Sequence, residues 1–375
     1  MSATPPSPRP LIWRNVLFIV VLPVVTLPAA LAWVLTHGVT LAEFVGALVL
    51  WWVTGLGITA GYHRLFAHRS YKAAWPVRAW FALVGAMAGE NSIIAWCSDH
   101  RRHHRHTDTG QDPYNAREGL FHSHVGWILR DGSTPDRYDD VPDLWADPIC
   151  RFQHRWWFLF ALVGNVAAVA VVGAFSGRMV GAMLVAGFVR FIVVQHVTFS
   201  INSLSHWWGR QPWSTATTSR DNRWLALLSF GEGYHNFHHT FQADYRNGIQ
   251  WYDYDPSKWL IRTFAALGLA SDLRRTPEHL LLRARFEQGR SQWRAQRDAL
   301  RTDLAQALAD AELRMETSLG ELRARTHAWG EARREGASAT AQDLERRVRE
   351  AARDAREGLA AWERLARKLP TPQVG

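Results

Sequence analysis

The chain has 375 residues, with 43 Lys and Arg against 34 Asp and Glu, for a formal charge of +9. A charge of that sign often marks nucleic-acid binding. Here the basic residues flank apolar spans and no nucleic-acid-binding motif occurs, which argues against that partner. Cys97 and Cys150 are the only cysteines, too few for a zinc ribbon or an iron–sulfur cluster. Both fall in segments expected to face the cytosol, where a structural disulfide is not expected.

Residues 1–10 form a polar, Pro-rich tail, and no small-residue cleavage site follows the next apolar run. That run therefore reads as a retained membrane span, not a removed signal. Four segments, 13–36, 41–61, 156–176 and 179–203, are long and apolar enough to cross about 30 Å of hydrocarbon as helices. Pro23 and Pro28 are expected to kink the first. A fifth apolar stretch, 75–96, is interrupted by Pro76, Arg78 and Glu90 and predicts an amphipathic, half-buried helix along the membrane surface. Twelve Lys and Arg occur from His63 to Arg155, whereas the 37–41 turn has none and the turn near 177 has only Arg178. The positive-inside tendency then puts both termini and the hydrophilic segments in the cytosol. Trp51, Trp52, Trp156, Trp157, Trp207 and Trp208 read as interfacial anchors.

The expected architecture is an all-α integral membrane protein. Its membrane domain, 11–284, has two hairpins of spans under a cytosolic helical cap built from 62–155 and 204–284. From 285 the character changes. Leu300, Leu304, Leu308, Leu319 and Leu322 recur at helical spacing among charges, and after Gly330 and Gly336 a second run carries Leu344, Val348, Ala355, Leu359, Trp362 and Leu365. This pattern predicts a helical hairpin or short coiled coil, open to self-association through 285–370; a solvated tail without a partner is the alternative.

Histidines carry the chemistry. They gather as His63 and His68, then His100, His103 and His104, then His235, His238 and His239. The second and third clusters have the form HxxHH, and on a helix positions i, i+3 and i+4 share a face and can direct two or three imidazoles at one point. His63 and His68, five apart, would be about 140° apart on an α-helix, so the helix is expected to yield between them. His206 closes the fourth span level with His63, and Asn202 stands one turn before it. Eight or nine imidazoles exceed what one ion takes, so two metals are expected, and imidazole suits Fe, Cu and Zn alike. Asp99, Asp108 and Glu232 are placed to accept the free ring N–H of bound histidines, or else to pair with Arg101, Arg102 and Arg105. His37, His154, His196, His279 and His327 read as ordinary hydrogen-bonded residues, and His106, His122 and His124 as neighbours of the site or surface groups.

The motifs GITAGYHRLFAH at 57–68, DHRRHH at 99–104, TDTGQDPYNAREGLFHSHVGW after it, NSLSHWWG at 202–209 and GEGYHNFHH at 231–239 resemble the membrane fatty acyl desaturases, in particular the Δ9 acyl-CoA (stearoyl-CoA) type. The resemblance covers about residues 10–275. It implies four spans and a cytosolic cap enclosing two irons, held by His63, His68, His100, His103, His104, His206, His235, His238 and His239, with Asn202 acting through water. It further implies O2-dependent insertion of a cis double bond into a long-chain acyl-CoA or acyl-lipid. Two electrons would come from a separate carrier of ferredoxin, cytochrome b5 or flavoprotein reductase type. Asn91, Trp96 and Thr198 would line the bend of an acyl tunnel, with Trp51 and Gly55 at its far end. Glu90 and Ser98 depart from animal relatives, which have an amide and a basic residue there, and this leaves the acyl carrier open. A membrane di-iron hydroxylase, or a His-rich metal transporter or sensor, would share parts of the pattern. The spans, nearly free of ionisable residues before their cytosolic ends, disfavour transport. The Ala- and Arg-rich composition points to a bacterial plasma membrane.

Overall fold

The computed structural model describes residues 10–130, 138–296 and 302–368, so most of the polar tail and Leu300 lie outside the described residues. Those residues form two compact units: 10–211 with 216–275, and 212–215 with 276–368.

Four helices of the first unit are long and apolar enough to cross a membrane: α1 (Trp13–His37), α2 (Leu41–Ala67), α5 (Pro148–Ser176) and α6 (Met179–Trp207). Between the two pairs come α3 (Trp75–Ala86) and α4 (Ile93–His106), and a short helix, α7 (His235–Thr240), follows the last span. The surfaces of the long helices match a lipid environment: Val24, Leu31, Phe44, Leu159, Val166 and Phe175 all expose large apolar side chains. Local chemistry sets several of the helix ends. Thr40 and Glu43 form a reciprocal capping box at the start of α2. Asp147 caps α5 by accepting from the Ile149 N–H at 2.9 Å, and Pro148 occupies the first turn, where no N–H is needed. Gly177, at φ 67°, ends α5 in the left-handed region.

The helices run past the expected spans. The second continues to Ala67, the third starts at Pro148, and the fourth reaches Trp207, because polar residues at these ends pack into the cap rather than into lipid. The 75–96 stretch divides. α3 buries Val77, Phe81, Val84 and Gly85, and α4 begins after a turn in which Gly89 and Asn91 have φ of 75° and 82°. Ser92 caps α4, its Oγ accepting from the Ala95 N–H. A short antiparallel ribbon pairs Lys72–Ala73 with Ala270–Ser271 and ties the two halves of the cap together. α6 also holds, in its interior, a charge that the apolar pattern hides: Arg190, which is buried.

In the second unit three helices, not two, share one core: α8 (Glu278–Gln296), α9 (Thr302–Arg334) and α10 (Ser338–Ala366). Leu282, Phe286 and Trp293 from α8 meet Leu308, Met315 and Leu322 from α9 and Ala355, Leu359 and Trp362 from α10. Gly289 has no side chain because the Trp362 ring fills that space; a Cβ there would lie 2.5 Å from it. The third helix moves the boundary of this unit ahead of 285. Its apolar residues sit among charges and find their partners only in the two later helices. Gly330 stays inside α9, and the break falls at Gly336, at φ 73°. Of the apolar residues expected to line 285–370, Leu304, Leu308, Leu319, Leu322, Val348, Ala355, Leu359, Trp362 and Leu365 pack into this core.

Candidate metal centre

The first histidine pair shows why the local winding matters. The helix does not yield between His63 and His68. Residues Gly57–Ala67 wind as a π-helix, with the His68 N–H bonding the His63 carbonyl at 3.0 Å. Bonds of the i→i+5 kind stack residues five apart, so the spacing that excludes a one-face pair on an α-helix brings the rings to 4.8 Å between centroids.

The two HxxHH motifs then divide their rings in opposite senses. On α4, His100 and His104 (i, i+4) turn to one group and His103 to another; on α7, His235 and His239 turn to the second group and His238 to the first. The first group is His63, His68, His100, His104 and His238; the second is His103, His206, His235 and His239. Within each, one ligand atom per residue lies within 4.8 Å of all the others. The sequence allows each motif to aim three rings at one point. The angular steps of a helix, about 40° between i and i+4 and about 100° between i+3 and i+4, favour a pair plus one.

The rings meet through Nε2. His63 faces His238 at 3.0 Å, His68 faces His100 at 2.8 Å and His238 faces His104 at 2.9 Å. In the second group His103 faces His239 at 3.2 Å, and His235 lies 3.1 Å from both His206 and His239. Four of the opposite nitrogens are held from outside. His63 Nδ1 lies 2.9 Å from Glu232, His103 Nδ1 2.8 Å from Asp112, His100 Nδ1 3.2 Å from the Tyr114 hydroxyl and His206 Nδ1 2.8 Å from Thr218 Oγ1. Partners of this kind fix which nitrogen faces inward.

Of the three acids singled out in the sequence, Glu232 is the direct partner. It also receives Arg64 at 2.9 Å and the Asn247 amide at 2.7 Å, and Arg64 reaches on to Asp255 at 2.9 Å, all of them buried. Its pKa is lowered, because His63 and Arg64 outweigh the burial that opposes ionisation. Asp108 acts one atom further away: Thr218 donates its hydroxyl to Asp108 at 2.7 Å, while Asp108 stands 3.9 Å from His206. Asp99 is half-buried next to His100, and its charge bears on Tyr114. Asp112, Tyr114, Thr218, Asn247 and Asp255 are partners that sequence reasoning does not pick out. Asp112 and Tyr114 lie in the TDTGQDPYN run, which offers a signal; Thr218 and Asp255 sit in loops that offer none.

Burial, followed by the neighbouring imidazoles, pulls the pKa values of His68, His100, His104, His235, His238 and His239 down, which keeps these rings neutral and able to donate a lone pair. Nine imidazoles in groups of five and four, with the outer nitrogens of His63, His100, His103 and His206 anchored, form a donor set suited to two transition-metal ions. Asn202 is half-buried on α6, one turn before His206 of the four-ring group.

Of the residues expected near an acyl chain, Trp96 adjoins the first group. Trp96 stacks on His100, with centroids 4.9 Å apart, and packs edge-on against His63 and Tyr62. Its Nε1–H donates to Glu90 Oε2 at 3.1 Å, and Thr198 donates to Glu90 Oε1 at 2.8 Å. Glu90 therefore bridges α4 and α6, and burial pushes its carboxyl up to about 7. Asn91 is exposed; its backbone carbonyl accepts from the Tyr62 hydroxyl at 3.4 Å. Trp51 packs against Phe230, with centroids 5.1 Å apart, and Gly55 leaves room for the same ring. Ser98 donates to Asp140 at 2.6 Å. Among the other histidines, His154 bonds Ser92, His37 bonds Thr36 and His327 pairs with Glu331. His196 is likewise hydrogen-bonded, to His124 at 3.1 Å.

With that geometry in hand, comparison with known proteins is decisive for the family. The sequence profile described as fatty acid desaturase matches residues 38–272. This chain belongs to the fatty acid desaturase family. It is 45% identical over 238 residues to Acyl-CoA desaturase 1 of Saccharomyces cerevisiae, covering 63% of this chain and 47% of that protein. It is 39% identical over 293 residues to the probable acyl-CoA desaturase of Schizosaccharomyces pombe, covering 76% and 60%. Against Stearoyl-CoA desaturase 5 of Bos taurus the identity is 36% over 277 residues, covering 72% and 82%. The chain thus spans about half to three fifths of the length of the fungal relatives. The match ends at 272, before the helical bundle begins.

Proposed function

We propose that this chain is an O2-dependent di-iron acyl desaturase that introduces a cis double bond, at the Δ9 position, into a long-chain acyl-CoA or acyl-lipid. The observation that carries the reading is the opposed division of the two HxxHH motifs into groups of five and four imidazoles. The names of the relatives support the desaturase branch over a hydroxylase. The reaction consumes O2, two electrons and two protons, removes one hydrogen from each of two adjacent methylenes, and releases two waters. Two electrons come from a separate carrier of ferredoxin, cytochrome b5 or flavoprotein reductase type. The distribution of positive charge supports a cytosolic centre with both termini on the same side, and composition favours a bacterial plasma membrane.

Two irons, held by the nine histidines with Asn202 acting through water, would supply the oxidant for an unactivated C–H bond. The protein supplies the rest. Glu232 and Asp112 hold His63 and His103 in the tautomers that direct Nε2 inward, and Tyr114 and Thr218 do the same for His100 and His206. Trp96, stacked on His100, forms an apolar wall beside the first group and gives an acyl chain a surface to lie on. Glu90 ties that wall to Thr198 and fixes the bend. Trp51, against Phe230, closes the far end and limits chain length, with Gly55 leaving the room Phe230 needs.

Expression of the full chain in membranes, with lipid double bonds followed by mass spectrometry, tests the assignment beside a His68→Ala control. New unsaturation absent from the control, with close to two irons per protein, is the expected result. No unsaturation, or equal activity in the control, overturns it.

A further inference from the structure

Arg190 is a buried ionisable residue that the proposed chemistry leaves unused. Its side chain is buried within α6, 3% exposed, where a charge normally pairs or serves a function. Its Nε–H donates to the Ala186 carbonyl at 3.1 Å and an Nη2–H donates to Asn165 Oδ1 on α5, while Nη1 makes no hydrogen bond among the described residues. Asn165 is the informative partner. A guanidinium has donors only, so it fixes the amide with its oxygen towards Arg190 and its nitrogen away. That nitrogen donates to the Ala161 carbonyl at 2.8 Å and across to the Met87 carbonyl at 3.0 Å.

Met87 opens the turn between α3 and α4, whose residues Gly89 and Asn91 adopt positive φ. Two further side chains of α6 hold the same turn. Gln195 donates to the Gly89 carbonyl at 3.4 Å and Thr198 to the Glu90 carboxyl at 2.8 Å. Residues 87, 89 and 90 are thus gripped in sequence by groups at successive levels of the spans. The far side of the turn bears on the centre, through Glu90 to Trp96 and from Trp96 to His100. The turn is thus tied to the spans at two backbone carbonyls, Met87 and Gly89, and at the Glu90 side chain, which resists its sliding relative to the histidines.

We infer that Arg190 and Asn165 are positioning residues that fix the height of the 87–91 turn against the histidine centre, and so select which carbons of the acyl chain are presented to it. The inference rests on the desaturase reading. Arg190 acts by locking the Asn165 amide, and Asn165 by holding Met87.

The test uses the full chain in membranes, with double-bond position and iron-to-protein ratio measured for wild type, Arg190→Leu and Asn165→Asp. Absence of any unsaturation in the wild type would strike the functional reading itself, not this assignment. Asn165→Asp keeps a partner for Arg190 but removes the donor to Met87, so it guards against a variant that merely fails to fold. The expected result is retained iron in Asn165→Asp and a roughly five- to tenfold rise in the fraction of product with a displaced double bond, in line with the loss of one anchoring hydrogen bond. The double variant should be no worse than the more affected single one, since both act through one contact. Unchanged double-bond positions in Asn165→Asp, at whatever rate, overturn the proposal. So does iron loss in Asn165→Asp in step with lost product, which would mark the pair as structural only.

Discussion

The histidine centre and the C-terminal bundle are both built from helices that place residues at i, i+3 and i+4, yet they use burial in opposite ways. In the bundle, buried positions carry Leu, Phe, Met and Trp, and charges stay at the rim, as in Arg290 with Glu316 at 2.6 Å and Arg285 with Glu363 at 2.6 Å. At the centre, buried positions carry imidazoles, Glu232, Arg64 and Asp255, all of which cost free energy to bury unless partnered. One region is organised for stability, the other for a function that stability must support. Substitutions should therefore separate them: in the centre they remove metal before fold, in the bundle fold without metal.

The sharpest break comes from His238→Ala. His238 belongs to the five-ring group and faces both His63 and His104. Its removal should lower desaturation by roughly three orders of magnitude and release one of the two ions. Metal analysis of the purified variant checks this; two retained irons would show that the two-group division has no functional meaning.

Next in size is Trp362→Ala. The Trp362 ring sits against Phe286, with centroids 5.2 Å apart, and fills the space over Gly289. Loss of a buried Trp should destabilise the bundle by about 3–5 kcal/mol. Limited proteolysis of the full-length protein should show cleavage within 276–368, with iron content and product unchanged. A parallel loss of iron would mean that the two regions are coupled.

A smaller effect, confined to the centre, is expected from Asp112→Asn. Its carboxylate holds His103 Nδ1 at 2.8 Å and also takes the Asp108 and Tyr114 backbone N–H groups. An amide keeps the shape but not the charge, so metal affinity at the four-ring group should fall about 10- to 100-fold. Competition with a chelator measures the change. A drop confined to the five-ring group would contradict the assignment of His103.

How far the sequence can be read follows the same division. The spans and the nine imidazoles are legible because hydropathy and HxxHH spacing are local patterns. The π-helical winding at 57–67 is not: whether a helix takes i→i+5 bonds depends on what it packs against, here Phe81 close over Gly61 and Gly85 close over Gly57. The outer partners are legible only where they stand next to a histidine, as Glu232 does in the motif GEGYHNFHH. Thr218 and Asp255 hold the centre from loops whose approach is set by tertiary structure. In the bundle, α8 escapes detection because its apolar residues are few and depend on distant partners. Arg190 escapes because one charge does not interrupt an otherwise apolar run.

The finest test concerns Glu90, which joins Trp96 beside the histidines to Thr198 on α6. Burial raises its carboxyl from an ordinary value to about 7, so between these values the folded protein binds a proton that the unfolded chain has lost. The sign follows: this group favours the folded state at acid pH, and that contribution is lost as pH rises through about 7. The burial of neutral histidines works the other way, disfavouring the fold as pH drops below about 6.5, so the two must be separated by substitution. Glu90→Gln does so. An amide can accept from Trp96 with its oxygen and donate to Thr198 with its nitrogen, while Thr198 turns its own proton to the Val194 carbonyl, 3.2 Å away. It keeps both bonds and carries no titrating proton. The thermal midpoint of the variant should stay close to wild type at about pH 5 and rise above it towards about pH 8. Parallel curves across that range would show that Glu90 stays ionised in place, and the bend would then be held by a charge instead of a neutral acid.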